Sequence, residues 1–511
     1  MTQPPTAPTV PDGPLDAPGD FEALQDRLQD SYEMIFADPD RPRTVIVLPS
    51  LTLDTEILAK IEGVIHYEQR LLCLFFLLRQ PNVHVVYLTS EPIPQAIIDY
   101  YLHLLPGIPS GHARRRLTLL SCHDPAARAL TEKVLERPRL MARLRAAVKD
   151  PEHAHITCFN VAGPERELAL RLGVPIYGCD PALLPLGSKS GSRRIFKAAG
   201  MTVAAGHEDL ADMQDVVTAL ASLKGADPGL KRAVVKLNEG FSGEGNAIFE
   251  FSDAPSGAGL EAWIRQHLHR MRFVASGVDL EAFDAKFEEM GGIVEAFVEG
   301  ARKRSPSVQY RITPRRELEL ISTHDQITGG QSGQVFTGCS FPADRAYRQD
   351  LHQEAQGAAE ALRREGVLGR FGIDFISVPE NGGWRHYAVE INLRKGGTTH
   401  PFLMLQHLTD GTYDRERGAY RSRSGQNLCY VASDNLQSPA YRGLTADDLI
   451  DIAVERGLHF NALTQEGVAF HIIGALSGHG KLGVTCVGKS LRDARMIYRR
   501  TTMALSERAA G

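Results

Sequence analysis

Phe371-Gly372-Ile373-Asp374-Phe375-Ile376-Ser377-Val378 reads as a strand, and Pro379-Glu380-Asn381-Gly382-Gly383 as the turn that ends it. Trp384 to Asn392 returns as a second strand and runs into Arg394-Lys395-Gly396-Gly397-Thr398-Thr399-His400. Folded about Gly382, the hairpin sets Asp374 opposite Glu390. Asn392 shares the Glu390 face because strand side chains alternate with period two. Two carboxylates and an amide oxygen then meet on one pleated surface. Such hard donors suit Mg²⁺, which takes one or two carboxylates and fills its shell with water and phosphate oxygens. At an effective dielectric of about 20, two carboxylates about 4 Å apart repel by roughly 4 kcal/mol, which favours a cation between them. A surface hairpin with scattered acids is the competing account, and the hairpin alone does not choose between them.

The rest of the chain limits what such a site can serve. A length of 511 residues predicts three or four domains. Hydrophobic residues make up 43% and charged residues 23%, ordinary for a globular protein with sizeable cores. A net charge of -5 and a pI near 6.4 argue against a nucleic-acid-binding surface. The seven cysteines are scattered and never spaced C-x-x-C, which reads as reduced thiols in a cytoplasm and no structural zinc. Prolines at 4, 5, 8, 11, 14 and 18, with no basic or apolar leader, make 1–20 a disordered tail. The longest apolar run, Leu71 to Leu78, is too short to cross a bilayer and reads as a core helix face.

Over 21–185, short apolar strands alternate with helical stretches, which predicts a parallel doubly wound sheet. Thr44 to Leu48, Val83 to Leu88, Leu117 to Leu120, His155 to Phe159 and Pro175 to Tyr177 are the strands. A helical stretch reaching Arg79 follows the first strand, Gln95 to Leu105 the second, the Ala126 to Lys149 helix the third and Pro164 to Leu172 the fourth. Pro49-Ser50-Leu51-Thr52 follows the first strand where a dinucleotide fold needs its glycines, so dinucleotide binding is not expected.

Further on, Lys236 lies near the end of the strand Ala233 to Leu237, and Gly240-Phe241-Ser242-Gly243-Glu244-Gly245 follows. Glycines let the backbone approach an anion, and successive N–H groups cradle phosphate oxygens. No helix follows this loop, as a P-loop requires, so a flap over a triphosphate fits better. An exposed Gly-rich turn is the alternative. Lys189 precedes the predicted helix Ser190 to Ala199, an electropositive end that suits phosphate. Ile293 to Gly300 reads as an edge strand whose backbone is free for an adenine edge, flanked by Val294, Phe297 and Val298.

These elements in this order resemble the ATP-grasp superfamily of carboxylate–amine ligases over about 186–410. Thr323-His324-Asp325-Gln326, the stretch from Glu390 to Pro401 and the segment Gly474 to Val484 look like the pheganomycin-type peptide ligases. The resemblance implies an α/β fold with an N-terminal parallel, pre-ATP-grasp sheet domain (21–185). An ATP-grasp fold of two α+β subdomains (186–425) and a small C-terminal α+β domain (426–511) follow. It implies ATP and Mg²⁺ as cofactors and amide formation between a small amino acid-like carboxylate and an amine or peptide, through an acyl phosphate. It further implies peptide natural-product (antibiotic) biosynthesis, and leaves a homodimer open. Asp374, Glu390 and Asn392 would hold metal. Lys189, Lys236, the flap residues Gly240, Ser242, Gly243 and Gly245, and the hinge Glu295, Ala296, Phe297 and Val298 would bind nucleotide. Arg394 would clamp the acyl phosphate or its tetrahedral successor, with Lys236 on the phosphates. His324, beside Asp325 in a segment expected near the reacting centre, reads either as a base for the incoming amine or as a structural histidine at a strand end. Arg302, Arg304, Arg311, Gly396, Gly397 and Thr398 would receive substrate. A nucleotide sensor without catalysis, or an ATP-grasp kinase or carboxylase, are the rival readings.

Other signals carry less. Five residues separate Gly474 from Gly480 where a P-loop has four, so this segment is expected to be a hairpin turn. The pairs His153/His155 and His267/His269 lack metal-site partners, and Arg114-Arg115-Arg116 reads as a solvated charge run. His400 lies in a segment expected near the reacting centre.

Overall fold

The computed structural model describes residues 18–38, 40–53, 55–240, 245–275, 277–300, 302–329 and 335–510. Most of the expected tail, 1–17, lies outside them, but the helix Pro18–Ala37 begins within its last residues. Ser242 and Gly243 of the flap also lie outside the described residues.

The N-terminal sheet contains β1 (Arg43–Leu48), β2 (Val83–Thr89), β3 (Leu117–Ser121) and β4 (Ala154–Cys158), all parallel in the order β3-β2-β1-β4. Both faces are buried, as parallel sheets require. Ile46, Val86 and Ile156 face a core with Phe21, Val134 and Leu168. Val45, Val85 and Tyr87 face the opposite core with Leu72 and Phe75 of the 3-10 helix Val64–Arg79. Two expectations need correction. The Ala126 to Lys149 helix is two, Leu130–Leu135 and Pro138–Ala147, because Pro138 cannot continue a preceding helix and starts a new one. The Pro175 to Tyr177 strand shrinks to one bridge, Ile156 to Ile176. The Gln25 side chain takes the remaining bonds of Ile176, donating to its carbonyl at 2.9 Å and accepting from its N–H at 2.8 Å.

A second, antiparallel sheet holds β5 (Gly206–Leu210), β6 (Arg232–Leu237), β7 (Asn246–Glu250), β8 (Arg272–Phe273) and β9 (Gly292–Ala296) in the order β5-β9-β6-β7-β8. Three helices, Met213–Ala226, Leu260–His267 and Leu280–Met290, cover one face through Leu220, Ile264 and Phe287. The stretch beginning at Ile293 is therefore not an edge strand: β9 pairs with β5 on one side and β6 on the other.

The third sheet is antiparallel. It comprises β10 (Pro306–Ile312), β11 (Leu318–Gly329), β12 (Val335–Phe341), β13 (Gly369–Glu380), β14 (Gly383–Asn392), β15 (Thr412–Asp414), β16 (Ala419–Arg421), β17 (Asn427–Gln437), β18 (Gly467–His471) and β19 (Lys481–Gly488). Its main path runs β14-β13-β10-β11-β12-β17-β16-β15, with β19 pairing β17 and β18. Ala355, Ala359 and Leu362 of the helix Arg348–Arg364 pack on Phe371 and Ile373. The C-terminal strands thus continue the sheet that carries the hairpin. The segment from Gly474 does connect an antiparallel hairpin, β18 to β19, as expected, but its turn holds a short helix, Ala475–His479, stopped by Gly480 at φ 61. No helix among the described residues is long and apolar enough to cross a membrane.

Candidate active site

The hairpin β13–β14 turns at Asn381-Gly382, with φ values of 49 and 79 that suit a two-residue turn matched to strand twist. Glu380 pairs Gly383, so uninterrupted pairing would set Asp374 opposite Val389. A bulge between Asp374 and Phe375 adds one residue to β14 and brings Glu390 opposite Asp374. The bulge also reverses facing. His386 and Ala388 point into the core before it, whereas Glu390 and Asn392 point into a cavity after it. The expected pairing is present, but the bulge produces it rather than symmetry about Gly382.

That cavity, about 570 Å³, lies between the second and third sheets. Lys236, the Glu295 to Val298 hinge, Asp374, Glu390, Asn392, Arg394 and Gly396 to Thr398 all line it. Asn392 Nδ2 donates to Asp374 Oδ2 at 3.0 Å. Burial, then the facing Glu390 carboxylate, pushes Asp374 up to about 7. Glu390 moves the other way: burial would raise it, but Lys189 beside it, with Arg394 and Lys236, outweighs burial and lowers it. Two acids and an amide crowded in this way form a donor set that fits a hard divalent cation.

Lys189 does not line the cavity but reaches its edge, with Nζ 2.8 Å from Glu390 Oε1. Its helix, Lys189–Ala198, is capped by Ser188, whose hydroxyl accepts from Gly191 N–H at 3.0 Å. Ser192 Oγ accepts the N–H of Ile391 at 3.0 Å, which fastens this helix to β14. Asn238, just past β6, accepts from the backbone N–H groups of Lys189 and Ser190 at 3.1 and 3.0 Å. The two lysines are therefore tied together through backbone contacts. Lys236 Nζ meets Glu295 Oε1, and Arg193 holds the other Glu295 oxygen at 3.0 Å. Gly240 and Gly245 face each other at the base of the flap, where a Cβ on Gly240 would stand 3.4 Å from the Gly245 Cα.

The hinge differs from expectation. Because β9 is interior, Ala296 N–H already bonds Ala205 at 2.7 Å, and Phe297 N–H bonds Arg232 at 3.0 Å. Phe297 is flanked instead by cations, with Arg232 and Lys303 each 4.0 Å from its ring centroid.

Of the expected residues, Gly240 and Gly245 do not line the cavity, and four others fall outside it. Arg302 and Arg304 are exposed and do not line this cavity, because the chain there lies on the open rim where Arg304 pairs backbone with Ser377. Arg311 shares the strand face of Ser307 and Gln309 but lies about 7 Å beyond Gln309, where it pairs with Glu319 at 2.7 Å. His324 is fully buried against Phe341, and its Nε2 shares a 2.7 Å hydrogen bond with Tyr430 OH. Burial pushes it down to about 3, so it stays neutral and is not placed to take an amine proton in the cavity. His400 is likewise buried, against Asp434.

Sequence reasoning missed Arg70, Phe159, Ser307, Gln309, Gln326 and Phe336, all of which line the cavity. Arg70 carried one signal: it belongs to Glu68-Gln69-Arg70, three polar residues directly before the longest apolar run.

Residues 184–273 and 260–416 match the family described as IQCH-like, ATP-grasp, and 448–501 match the PGM1 C-terminal domain. The chain is 29% identical over 494 residues to L-propargylglycine–L-glutamate ligase of Streptantibioticus cattleyicolor, covering 94% of this chain and 97% of that protein. Biotin carboxylase of Campylobacter jejuni superposes with a TM-score of 0.54 at 11% identity, covering 93% and 96% of the two chains. An N5-carboxyaminoimidazole ribonucleotide synthetase solved with ADP gives 0.52 at 11%, covering 92% and 98%. Sheet topology, the order of the site residues and these matches agree that the chain is built on the ATP-grasp fold.

Proposed function

We propose that this protein is an ATP- and Mg²⁺-dependent ligase that joins the carboxylate of one amino acid-like compound to the amine of another, releasing ADP and phosphate. The observation that carries this reading is one cavity where Lys236 and Arg394 face Asp374 and Glu390, with Lys189 at its edge. The similarity to an amino acid–amino acid ligase along nearly the whole chain supports it.

In this reading the donor carboxylate attacks the γ-phosphorus, its new P–O bond forming as the bond to the β,γ-bridging oxygen breaks, and ADP leaves. The amine then attacks the acyl carbon. A C–N bond forms, the C–O bond to phosphate breaks, and the amine proton passes to solvent or to the departing phosphate. Phosphoryl transfer between anions needs charge neutralisation and alignment more than covalent help. Lys189 and Lys236 supply fixed positive charge for the nucleotide phosphates. Arg394, beside Glu390, offers a guanidinium to the developing charge. Mg²⁺ held by Asp374, Glu390 and Asn392 would neutralise phosphate charge. The Gly240 and Gly245 backbone suits a flap that excludes water from the activated acyl group. The same reading divides the chain near 185 and 425 and assigns the product to peptide natural-product biosynthesis.

The test is a screen of amino acids and short peptides with MgATP, read by ADP release and product mass. A product equal to two substrates less one water, with one ADP each, is expected. Nucleotide-binding protein that yields no ADP with any pair rejects the reading.

A further inference from the structure

The cavity wall contributed by the N-terminal unit carries a guanidinium, that of Arg70, to which the reading above gives no role. Arg70 is 7% exposed, and its buried Nε has no hydrogen-bond partner. It lies 4.0 Å over the Tyr67 ring and 5.3 Å from the ring of Phe159, which lines the same cavity. Behind it, one terminal nitrogen sits 2.9 Å from Asp434 Oδ2. The other Asp434 oxygen meets Nε2 of His400 and Nε2 of His471, each at 2.8 Å. Those residues come from the helix Thr399–Thr409, from β17 and from β18, so three separate parts of the chain converge behind one arginine.

Among the described residues this is the one group of three His, Cys, Asp or Glu side chains close enough for a metal. A cation is already present, however, because the Arg70 guanidinium occupies the open side of the carboxylate. Burial drives His400 down to about 4, so at neutral pH it is uncharged and its Nε2–H can donate to Asp434. A carboxylate bonded from behind by imidazoles fixes the arginine in front of it. A fixed guanidinium keeps planar N–H pairs for a second carboxylate.

We propose that Arg70, aimed by Asp434 with His400 and His471, binds a carboxylate that one substrate carries besides its reacting group. This rests on the ligase reading. The shared chemistry is a free carboxylate, either the α-carboxylate of an amino-acid acceptor or the second carboxylate of an acidic donor. Arg70 is then a specificity residue, and Asp434 a positioning residue.

The test compares wild type, R70M, R70K and D434N with MgATP. One arm offers acceptors as free amino acids and as α-carboxamides; the other offers glutamate and aspartate donors against both their α-carboxamides and their side-chain amides, and the comparison uses whichever amide keeps the reacting carboxylate and still gives product. Wild type is expected to prefer the free acid on the order of tenfold or more in kcat/KM in one arm, which identifies the source. R70M should lose that preference mainly through KM while still binding MgADP in calorimetry. D434N should raise KM with kcat near wild type. If R70M does not bind MgADP, R70K carries the test and should show a raised KM for the free acid alone. An R70M enzyme that keeps the preference, or a wild type with none in either arm, overturns this inference and leaves the ligase reading standing. A wild type that releases no ADP with any pair overturns both.

Discussion

Replacing Glu390 by Gln removes a charge that holds Lys189 at 2.8 Å and faces Asp374 across the bulge. ADP release in E390Q should fall on the order of 10²-fold, about 3 kcal/mol of lost stabilisation, measured in a coupled assay. A rate near wild type would remove Glu390 from the chemistry. His324 makes the opposite case. Its folded pKa, about 3, lies below the ordinary 6.5, so its contribution to stability is complete above about 6.5 and declines as pH falls toward 3. H324F should keep turnover, lose about 1–3 kcal/mol of stability through the stranded Tyr430 hydroxyl, and flatten the urea midpoint between pH 7 and 5. Asp374, Glu390, Asn392 and Lys236 were readable because polar residues on apolar strands are conspicuous. Arg70 and Gln309 were not, since facing this cavity depends on elements far apart in sequence. His324 misled for a related reason. It lies two residues before Gln326 on the same strand, yet Phe341 and Tyr430 enclose it.

The hairpin owes its site to a turn and a bulge together. Asn381-Gly382 was plain in the sequence as a turn, whereas a bulge leaves no reliable mark because either strand can take the extra residue. Gly382 at φ 79 has nothing within 4 Å of a built Cβ, so substitution strains only the backbone. G382V should cost roughly 1–2 kcal/mol in urea unfolding while leaving kcat near wild type, because the turn lies at the far end from Asp374. An unchanged midpoint would show that the turn does not limit the hairpin. The edge assignment of β9 failed because pairing partners on both sides are remote in sequence. The split of the 126–149 helix, by contrast, was readable at Pro138.

One sheet joins the ATP-grasp hairpin to the C-terminal strands, with Cys339 paired to Ala432 and Phe341 to Tyr430. Phe341, Phe402 and Tyr430 share a core with Leu72 and Phe75 of the N-terminal unit and with Val484 of β19. Each such side chain contributes on the order of 2 kcal/mol when buried. A chain ending at residue 425 should therefore lose cooperative unfolding and elute as aggregate in size exclusion; a folded monomer would contradict the shared core. Alternating strands and helices announced the N-terminal sheet, but this continuity was hidden, because strand patterns do not say which sheet a strand joins. The central claim is that this cavity activates a carboxylate by phosphoryl transfer. The direct measurement uses a donor amino acid labelled with ¹⁸O in its carboxyl group and reads the phosphate released during ligation. One ¹⁸O atom in that phosphate is the expected result, and unlabelled phosphate accompanying amide product would contradict the account.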